Sequence, residues 1–404
     1  MLCMSNILTH FEEIKAKGLS IDITRGKPHA SQLDLSNELL TMDVDPYVGK
    51  VDLRNYGEPL GIEEARRLGS DLLSAPYENI ITGEQSSLLL TYQMMLAHYL
   101  FASPVAWKDK DNPKVICPVP GFDRHFRMLE DLGIGMLTVP LKEDGIDTDA
   151  LQSLLQNNEN IVGLLCVPRH SNPSGEVYSD GNLKQVFSIC KSYSDDFLFV
   201  FDNAYLVHDF LPTKKQKPIS ELAIEEGVSE MAVEVTSFSK VTFGGGGLSF
   251  MAAAGKNLSL IKKIRASMVI CPDKINQKRH TQFFKNADDI KSHMKKHADL
   301  IRPQFEIAYK ALETLTADIG TYSKPTGGYF ITFTSKKPIA SRIVELCKEA
   351  GVLITPAGAT FPYGIDPNDN ILRLAPTFVD HDELKEAMDV FVTAIQIAHI
   401  EAAS

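Results

Sequence analysis

The sequence predicts an α/β protein with a large, mostly parallel sheet that is covered by helices on both faces, and with a smaller α+β domain. From about residue 78 to 270, short apolar runs such as "NIVGLLCVP" alternate with helix-like stretches. Continuous apolar strands separated by helices are typical of a parallel sheet that is buried on both faces. We therefore predict a large domain over residues 46–285 and a small domain that combines residues 1–45 with 286–404.

Individual elements of both domains follow from the same patterns. The strands of the large sheet are predicted, in chain order, at "NIIT", "PKVICPVP", "NIVGLLCVP", "FLFVFDNAY", "MAVEVTSFS" and "GLSFMAAA". Residues 279–317 predict one long amphipathic helix, which Pro303 is expected to kink because proline removes a main-chain hydrogen bond. The smaller domain is predicted from "GGYFITF", "SRIVELCKEAGVLITPA", "NILRLAP" and a final helical stretch.

The composition favours a globular protein of a reducing compartment. The chain has 404 residues, 44% of them hydrophobic and 23% charged. A net charge of -11 argues against non-specific nucleic-acid binding, and no apolar run reaches membrane-spanning length. The start of the chain contains acids and no signal-type apolar core, so we expect a cytoplasmic protein. Six cysteines without CxxC spacing predict free thiols and no metal site.

Polar residues follow the predicted strands at the edge of the sheet where ligands bind in parallel-sheet proteins. After "NIIT", a small polar loop from Gly83 to Ser86 precedes a helix. Its free N–H groups suit a phosphate, although a simple capping turn would look the same. Phe122 follows the next strand and is equally compatible with a core position.

The later strands of the large sheet are followed by less common combinations. Asn172 begins a turn, and Asp202 ends an apolar strand, where a carboxylate needs a cationic partner or caps a helix. Lys240 follows "MAVEVTSFS" and precedes four glycines, Gly244 to Gly247. A lysine at a solvated surface needs no such setting, so we interpret Lys240 as reaching inward to a phosphorylated ligand.

Together these residues match the requirements of pyridoxal 5'-phosphate, which needs a lysine for a Schiff base, an acid for its ring nitrogen, a stacking aromatic ring and a phosphate site. The chain resembles the fold-type I pyridoxal-phosphate-dependent aminotransferases, and in particular aspartate aminotransferase subgroup Ic. The resemblance covers most of the chain and is carried by "TRGKP", "PGFDRHF", "SNPSGEVYS", "SFSKVTFGGGG" and "TPAGATFPYG".

The resemblance implies roles for the residues around the cofactor ring. Lys240 would form the Schiff base, and Asp202 would pair with the ring nitrogen. Tyr205 and Asn172 would hydrogen-bond the ring hydroxyl, and Phe122 would stack on the ring. The predicted catalytic residues are therefore Lys240, Asp202 and Tyr205.

The resemblance also implies how the phosphate and the substrate bind. The phosphate would be bound by Ser237 and by the loop of Gly83, Glu84, Gln85 and Ser86. Tyr56 of the neighbouring subunit would also bind it, so the resemblance implies a homodimer with shared sites. Arg373 would hold the substrate α-carboxylate with two parallel hydrogen bonds, helped by Asn172 and by the main-chain amide of Gly26.

Two positions depart from the pattern of the commoner aminotransferases. Their arginine eight residues after the lysine, which pairs with the phosphate, is replaced by Leu248. We hypothesise that the glycines Gly244–Gly247 let main-chain N–H groups approach the phosphate instead. Gln85 stands where a small hydroxyl residue is expected.

The reaction implied by the resemblance is aspartate:2-oxoglutarate transamination by a ping-pong mechanism. The second carboxylate of such substrates needs a cation, for which Arg25, Lys27, Arg124 and His125 are candidates. One alternative is another reaction on the same fold, such as a C–S lyase, a decarboxylase or an aminotransferase of different specificity. A second alternative is a non-catalytic effector-binding module, although no basic helix-turn-helix pattern precedes the motifs.

Overall fold

Helices and strands alternate along most of the chain, of which the computed structural model describes residues 4–403. The α-helices are α1 (Met4–Ala16), α2 (Ala30–Asp34), α3 (Glu38–Thr41), α4 (Glu63–Leu73), α5 (Ser87–Phe101), α6 (Asp123–Asp131), α7 (Thr148–Asn157), α8 (Asp180–Tyr193), α9 (Ile219–Glu225), α10 (Gly255–Met268), α11 (Lys274–Phe283), α12 (Ala287–Leu312), α13 (Ala340–Glu349) and α14 (His381–Glu401). The strands are β1 (Ile21–Asp22), β2 (Tyr47–Val48), β3 (Val51–Asp52), β4 (Ile80–Gly83), β5 (Lys114–Val119), β6 (Gly135–Lys142), β7 (Gly145–Ile146), β8 (Ile161–Cys166), β9 (Leu198–Asp202), β10 (Ala232–Ser237), β11 (Ser249–Ala253), β12 (Gly320–Tyr322), β13 (Ile331–Ser335), β14 (Val352–Leu353) and β15 (Ile371–Leu374).

The large sheet has the strand order β4-β11-β10-β9-β8-β5-β6-β7. Strands β10, β9, β8, β5 and β6 run parallel, which confirms the predicted mostly parallel sheet. Strand β11 is antiparallel to both of its neighbours, a reversal that the apolar pattern did not predict. The segment between β10 and β11 contains no helix, whereas a parallel pairing needs a longer crossover connection.

Both faces of the large sheet are buried. On β5, Val115 and Cys117 belong to one hydrophobic cluster, which includes residues of α5 and α10. Ile116, between them, points to the opposite face and belongs to a second cluster with residues of α7, α8 and α9. Alternate side chains of one strand thus enter two separate cores, which explains why the strands read as continuous apolar runs.

A three-stranded antiparallel sheet, β12-β13-β15, forms with its helices the smaller α+β unit. The N-terminal part of the chain contacts this unit, because β1 pairs in parallel with β14 and because Ile7 and Phe11 of α1 share a core with Phe391 of α14. The predicted domain boundaries, at residues 45/46 and 285/286, stay a prediction.

The single helix predicted over residues 279–317 is wrong at its start. Helix α11 ends at Phe283, and α12 begins at Ala287 after a break. The Asn286 side chain caps α12 by accepting hydrogen bonds from the N–H groups of Asp288 and Asp289, and this competes with a continuous helix. Helix α12 then continues through Pro303 without interruption.

Three compositional expectations concern membrane spans, cysteine thiols and metal ions. Within residues 4–403, no helix combines the length and the apolar character needed to cross a bilayer. Five cysteines are free thiols, and Cys3 lies outside the described residues. No cluster of His, Cys, Asp or Glu side chains in the described chain has an arrangement suited to a metal ion.

Candidate active site

A cavity of about 590 Å³ lies where the carboxyl ends of the large-sheet strands face β15 of the smaller unit. It brings together side chains from segments that are more than 300 residues apart in the chain. The predicted site residues that line it are Gly26, Phe122, Asn172, Asp202, Tyr205, Lys240 and Arg373.

Asp202 is the last residue of β9, and only 2% of its surface is exposed. Its Oδ2 accepts a hydrogen bond from Nε2 of His125 at 3.0 Å. Its Oδ1 has no hydrogen-bond partner among the described residues, although it is buried. A buried carboxylate oxygen without a donor is costly, so this oxygen is available to an N–H group of a ligand.

Lys240 lies three residues beyond the end of β10 and faces the same cavity. Its Nζ is 5.0 Å from the centroid of the Tyr205 ring. Burial lowers the pKa of Lys240 below its ordinary value, and Asp202 opposes that shift while Arg373 adds to it. The amine therefore loses its proton more readily than an exposed lysine does.

Two aromatic side chains flank these groups. Tyr205 is buried, which raises the pKa of its phenol and keeps it protonated. Phe122 directly precedes α6, and its ring lies edge-on to the ring of His125 with 5.0 Å between centroids. His125 is buried behind Asp202 and is not a wall residue of the cavity in the described chain, so it does not present a cation to a substrate.

Arg373, on β15, is held in place by several acceptors. Its Nε donates to Oγ1 of Thr355, and its Nη2 donates to the main-chain oxygen of Thr24, both at 3.3 Å. Its Nη1 lies 3.3 Å from Oδ1 of both Asn172 and Asp123. The guanidinium group is thus buried and oriented toward the cavity by residues from four different segments.

Gly26 is needed because the main chain passes close to an aromatic ring. A Cβ atom at this position would lie 2.6 Å from Cζ of Phe330. The Phe330 ring in turn packs against the guanidinium group of Arg373, with 4.8 Å between Cζ of the arginine and the ring centroid. Phe330 was missed by the sequence analysis, and the only signal for it was an aromatic residue after Gly327 and Gly328.

The predicted phosphate loop lies beside the segment that carries Lys240. Ser239 Oγ donates to the main-chain oxygen of Gln85 at 2.6 Å, and Ser237 Oγ lies 3.1 Å from Ser239 Oγ. Within the described chain, the Ser86 side chain caps no N–H group at the start of α5. Ser237 is therefore a close neighbour of the loop from Gly83 to Ser86, although neither Ser237 nor the loop lines the cavity.

The Glu84 side chain has a different partner. Its carboxylate pairs with the buried guanidinium group of Arg265 at 3.3 Å, and Arg265 also donates to Gln93. The main-chain oxygen of Glu84 accepts a hydrogen bond from Ser249. Arg265 therefore holds the side chain of Glu84, and Ser249 holds its main-chain oxygen.

The four glycines after Lys240 differ in their surroundings. A Cβ atom on Gly247 would lie 2.8 Å from the main-chain oxygen of Phe243 and 2.9 Å from the carbonyl carbon of Phe238. A Cβ atom on Gly245 would have no heavy atom of the described chain within 4 Å. Leu248, at the position of the expected arginine, is buried in an apolar cluster. Close main-chain packing therefore requires glycine at 247 and not at 245.

Tyr56 is 74% exposed and is not a wall residue of the cavity in residues 4–403. The preceding residue, Asn55, accepts a hydrogen bond through its main-chain oxygen from Nζ of Lys274, whose side chain is buried. This contact fixes the segment that carries Tyr56 and leaves the tyrosine ring at the surface.

The fold and the site together define an aminotransferase of fold type I. The chain belongs to the family described as aspartate amino-transferase, which it matches over residues 3–404. It is 36% identical to the aspartate aminotransferase of Corynebacterium glutamicum over 407 residues, which cover 98% of this chain and 93% of that protein. The predicted family and fold class are thus confirmed.

Solved structures agree with this membership. The crystal structure of an aspartate transaminase from Corynebacterium glutamicum superposes with a TM-score of 0.94 at 35% identity, covering 99% of this chain and 96% of that chain. The alpha-aminoadipate aminotransferase of Thermus thermophilus, complexed with N-(5'-phosphopyridoxyl)-L-leucine, has the same fold, with a TM-score of 0.77 at 20% identity and coverage of 98% and 96%.

Proposed function

We propose that this aminotransferase binds pyridoxal phosphate and transfers the amino group of aspartate to 2-oxoglutarate in a ping-pong reaction. The observation that carries the proposal is the buried Oδ1 of Asp202, which has no hydrogen-bond partner among residues 4–403 and lies in the cavity that also contains Lys240. The named relative of Corynebacterium glutamicum supports aspartate as the amino donor.

The residues of the cavity fit this cofactor. Oδ1 of Asp202 would accept a hydrogen bond from the ring nitrogen, and Phe122 would pack against the ring. Ser86, which directly precedes α5, and the hydroxyl groups of Ser237 and Ser239 would hold the phosphate. When it is bound, pyridoxal phosphate draws electrons from the α-carbon of an attached amino acid and thereby acidifies its C–H bond.

Lys240 is the residue that would hold the cofactor and then move the proton. Its burial lowers the pKa of its Nζ, so that this nitrogen can accept the proton from the α-carbon of the substrate. Asp202 presents its carboxyl group to the same cavity, and His125 orients that group through the 3.0 Å hydrogen bond. The two groups thus divide the work between proton transfer and electrostatic stabilisation.

Arg373 would bind the α-carboxylate of the substrate. Its planar guanidinium group can donate two parallel hydrogen bonds, and its contacts with Thr355, Thr24 and Asn172 fix the plane of that group. Substrate orientation then depends on an arginine that is rigid before the ligand arrives.

Arg25 is our choice for the second carboxylate of aspartate. Of the cations that line the cavity, Lys27 lies over the ring of Phe378 at 4.8 Å, and Arg124 lies 3.9 Å from Asp123. In the part of the chain that the structure describes, no hydrogen bond or ion pair engages the exposed side chain of Arg25. Arg25 interacts electrostatically with Asp22 but forms no close ion pair in the described chain, so it can bind an incoming carboxylate.

We also propose a homodimer in which Tyr56 completes the partner's phosphate site, and a cytoplasmic location. Exposed apolar side chains on two segments support an interface: Tyr47 and Tyr56 on one, Met268 and Ile270 on the other. The contact between Lys274 and Asn55 joins the two segments. Buried free thiols are typical of a reducing compartment.

Mixing the purified protein, loaded with pyridoxal phosphate, with single amino acids tests the proposal. Aspartate should convert the absorbance to that of the pyridoxamine form, and 2-oxoglutarate should reverse the change. Release of ammonia, carbon dioxide or sulfide in place of a reversible change would contradict the transamination, and conversion by alanine but not by aspartate would contradict the substrate.

A further inference from the structure

The arginine of the substrate site already has an acidic partner. Nη1 of Arg373 lies 3.3 Å from Oδ1 of Asp123, and both side chains line the cavity. The Asp123 side chain is 37% exposed, whereas that of Arg373 is 7% exposed. The carboxylate of Asp123 thus occupies part of the position at which the substrate α-carboxylate is expected to bind.

Asp123 is not required to orient Arg373. Thr355, Asn172 and the main-chain oxygen of Thr24 accept hydrogen bonds from the guanidinium group, and all three acceptors are neutral. In residues 4–403, Asp123 supplies the only ion pair of Arg373. A substrate carboxylate can therefore replace Asp123 while the three neutral acceptors stay in place.

A second cation is available to Asp123 after such a replacement. Its Oδ2 is 3.9 Å from Nε of Arg124, the next residue in the chain. Asp123 is also the first residue of α6, where the helix dipole stabilises a negative charge. The partial exposure of the side chain leaves room for a rotation away from Arg373.

We propose that Asp123 is a placeholder for the substrate α-carboxylate: it neutralises Arg373 while no substrate is bound, and each carboxylate ligand has to displace it. This inference rests on the proposed function, because it takes Arg373 as the site of the α-carboxylate. Asp123 acts against binding, so it sets the affinity of the enzyme for its substrates.

The test is the affinity of the enzyme loaded with pyridoxal phosphate for succinate, a dicarboxylate that has no amino group to react. Isothermal titration calorimetry should give a Kd about fivefold lower for Asp123→Asn than for the natural chain, the effect of one partly exposed ion pair. The apparent KM for aspartate should fall by a similar factor. An unchanged or higher Kd would overturn the inference.

Two further variants make the result specific. Asp149 is in the first turn of α7 and outside the cavity wall of the described residues, so Asp149→Asn should leave the Kd for succinate unchanged. An equal gain in Asp149→Asn would show a general charge effect and would overturn the inference. Asp123→Ser should lower the Kd for succinate as much as Asp123→Asn does, because serine is also favourable at the start of a helix.

The inference and the proposed function fail in different ways. A natural enzyme that gives no reversible absorbance change with aspartate contradicts the proposed function and, with it, the inference. If the natural enzyme reacts with aspartate but its Kd for succinate is no higher than that of Asp123→Asn, only the inference is contradicted.

Discussion

His125 donates a hydrogen bond of 3.0 Å to one carboxylate oxygen of Asp202, and the other oxygen is buried without a partner in residues 4–403. His125 lies three residues after Phe122, so the start of one helix supplies both an aromatic ring at the cavity and the imidazole that fixes the acid. The hydrogen bond to one oxygen determines which oxygen remains for the cofactor.

Replacing Asp202 by asparagine should slow the first half-reaction with aspartate by about 10²-fold, because a neutral amide cannot stabilise a protonated ring nitrogen as a carboxylate does. Rapid mixing with aspartate, followed by absorbance, measures this rate. The control is Asp196→Asn, which should react at the natural rate, because Asp196 is exposed near the opposite end of β9 and pairs with Lys256. Equal rates for Asp202→Asn and the natural enzyme would contradict the role of Asp202.

Replacing Arg373 by lysine should raise the KM for aspartate by about 10²-fold, because an ammonium group lacks the planar fork that binds a carboxylate with two hydrogen bonds. Steady-state kinetics at varied aspartate concentration measure the effect. The same exchange at Arg127, an exposed residue of α6 that pairs with Asp131, should leave the KM unchanged. If Arg373→Lys had the same KM for aspartate as the natural enzyme, the substrate α-carboxylate would have to bind elsewhere.

Replacing Gly247 by alanine should lower the free energy of unfolding by about 1–3 kcal/mol, because its Cβ would overlap main-chain atoms at Phe238 and Phe243. The displaced main chain leads to Ser239 and Lys240, so the affinity for pyridoxal phosphate should fall as well. Gly245→Ala is the matched control, since its Cβ meets open space in the described chain. Urea unfolding and cofactor titration of both variants check this, and equal behaviour would refute the packing argument.

Glu234 makes the stability of the protein depend on pH. The side chain is buried on β10, and burial raises its pKa from 4.5 to about 7, although a hydrogen bond from Asn203 opposes the shift. Because the folded chain holds this proton more tightly than the unfolded chain, the free energy of unfolding should fall as the pH rises from about 4.5 to about 7. The loss is on the order of 3 kcal/mol.

Glu234→Gln removes this titration and keeps an oxygen for the hydrogen bond from Asn203. The variant should therefore unfold at a higher urea concentration than the natural protein at pH 8, with little difference at pH 4.5. The control Glu143→Gln changes an exposed residue and should show no such pH-dependent gain. A constant difference between pH 4.5 and pH 8 would contradict the raised pKa.

The positions at the strand ends could be predicted from the sequence because each follows a continuous apolar run. Asp202 and Lys240 come after buried strands, and the parallel arrangement brings them to one edge of the sheet. The direction of β11 could not be predicted, since an apolar run does not show whether its strand is parallel. Asn286 is a good capping residue and indicates the break before α12, but the helical periodicity of the residues around it favoured one continuous helix.

Contacts between distant segments could not be predicted. Asp123 and Arg373 are 250 residues apart, and the tertiary fold alone places the first residue of α6 beside the arginine of β15. Phe330 and Thr355 reach Arg373 from other segments in the same way. The sequence shows these residues as ordinary members of a helix start, a strand or a loop, since their roles depend on tertiary contacts alone.

The central claim is that Lys240 is the residue to which the cofactor is bonded. Reduction of the enzyme–pyridoxal phosphate complex with borohydride, followed by proteolysis and mass spectrometry, identifies the modified lysine. A phosphopyridoxyl group is expected on the peptide that contains Lys240 and not on the peptide that contains Lys274, a buried lysine. A modification on any other lysine, with Lys240 unmodified, would contradict the account.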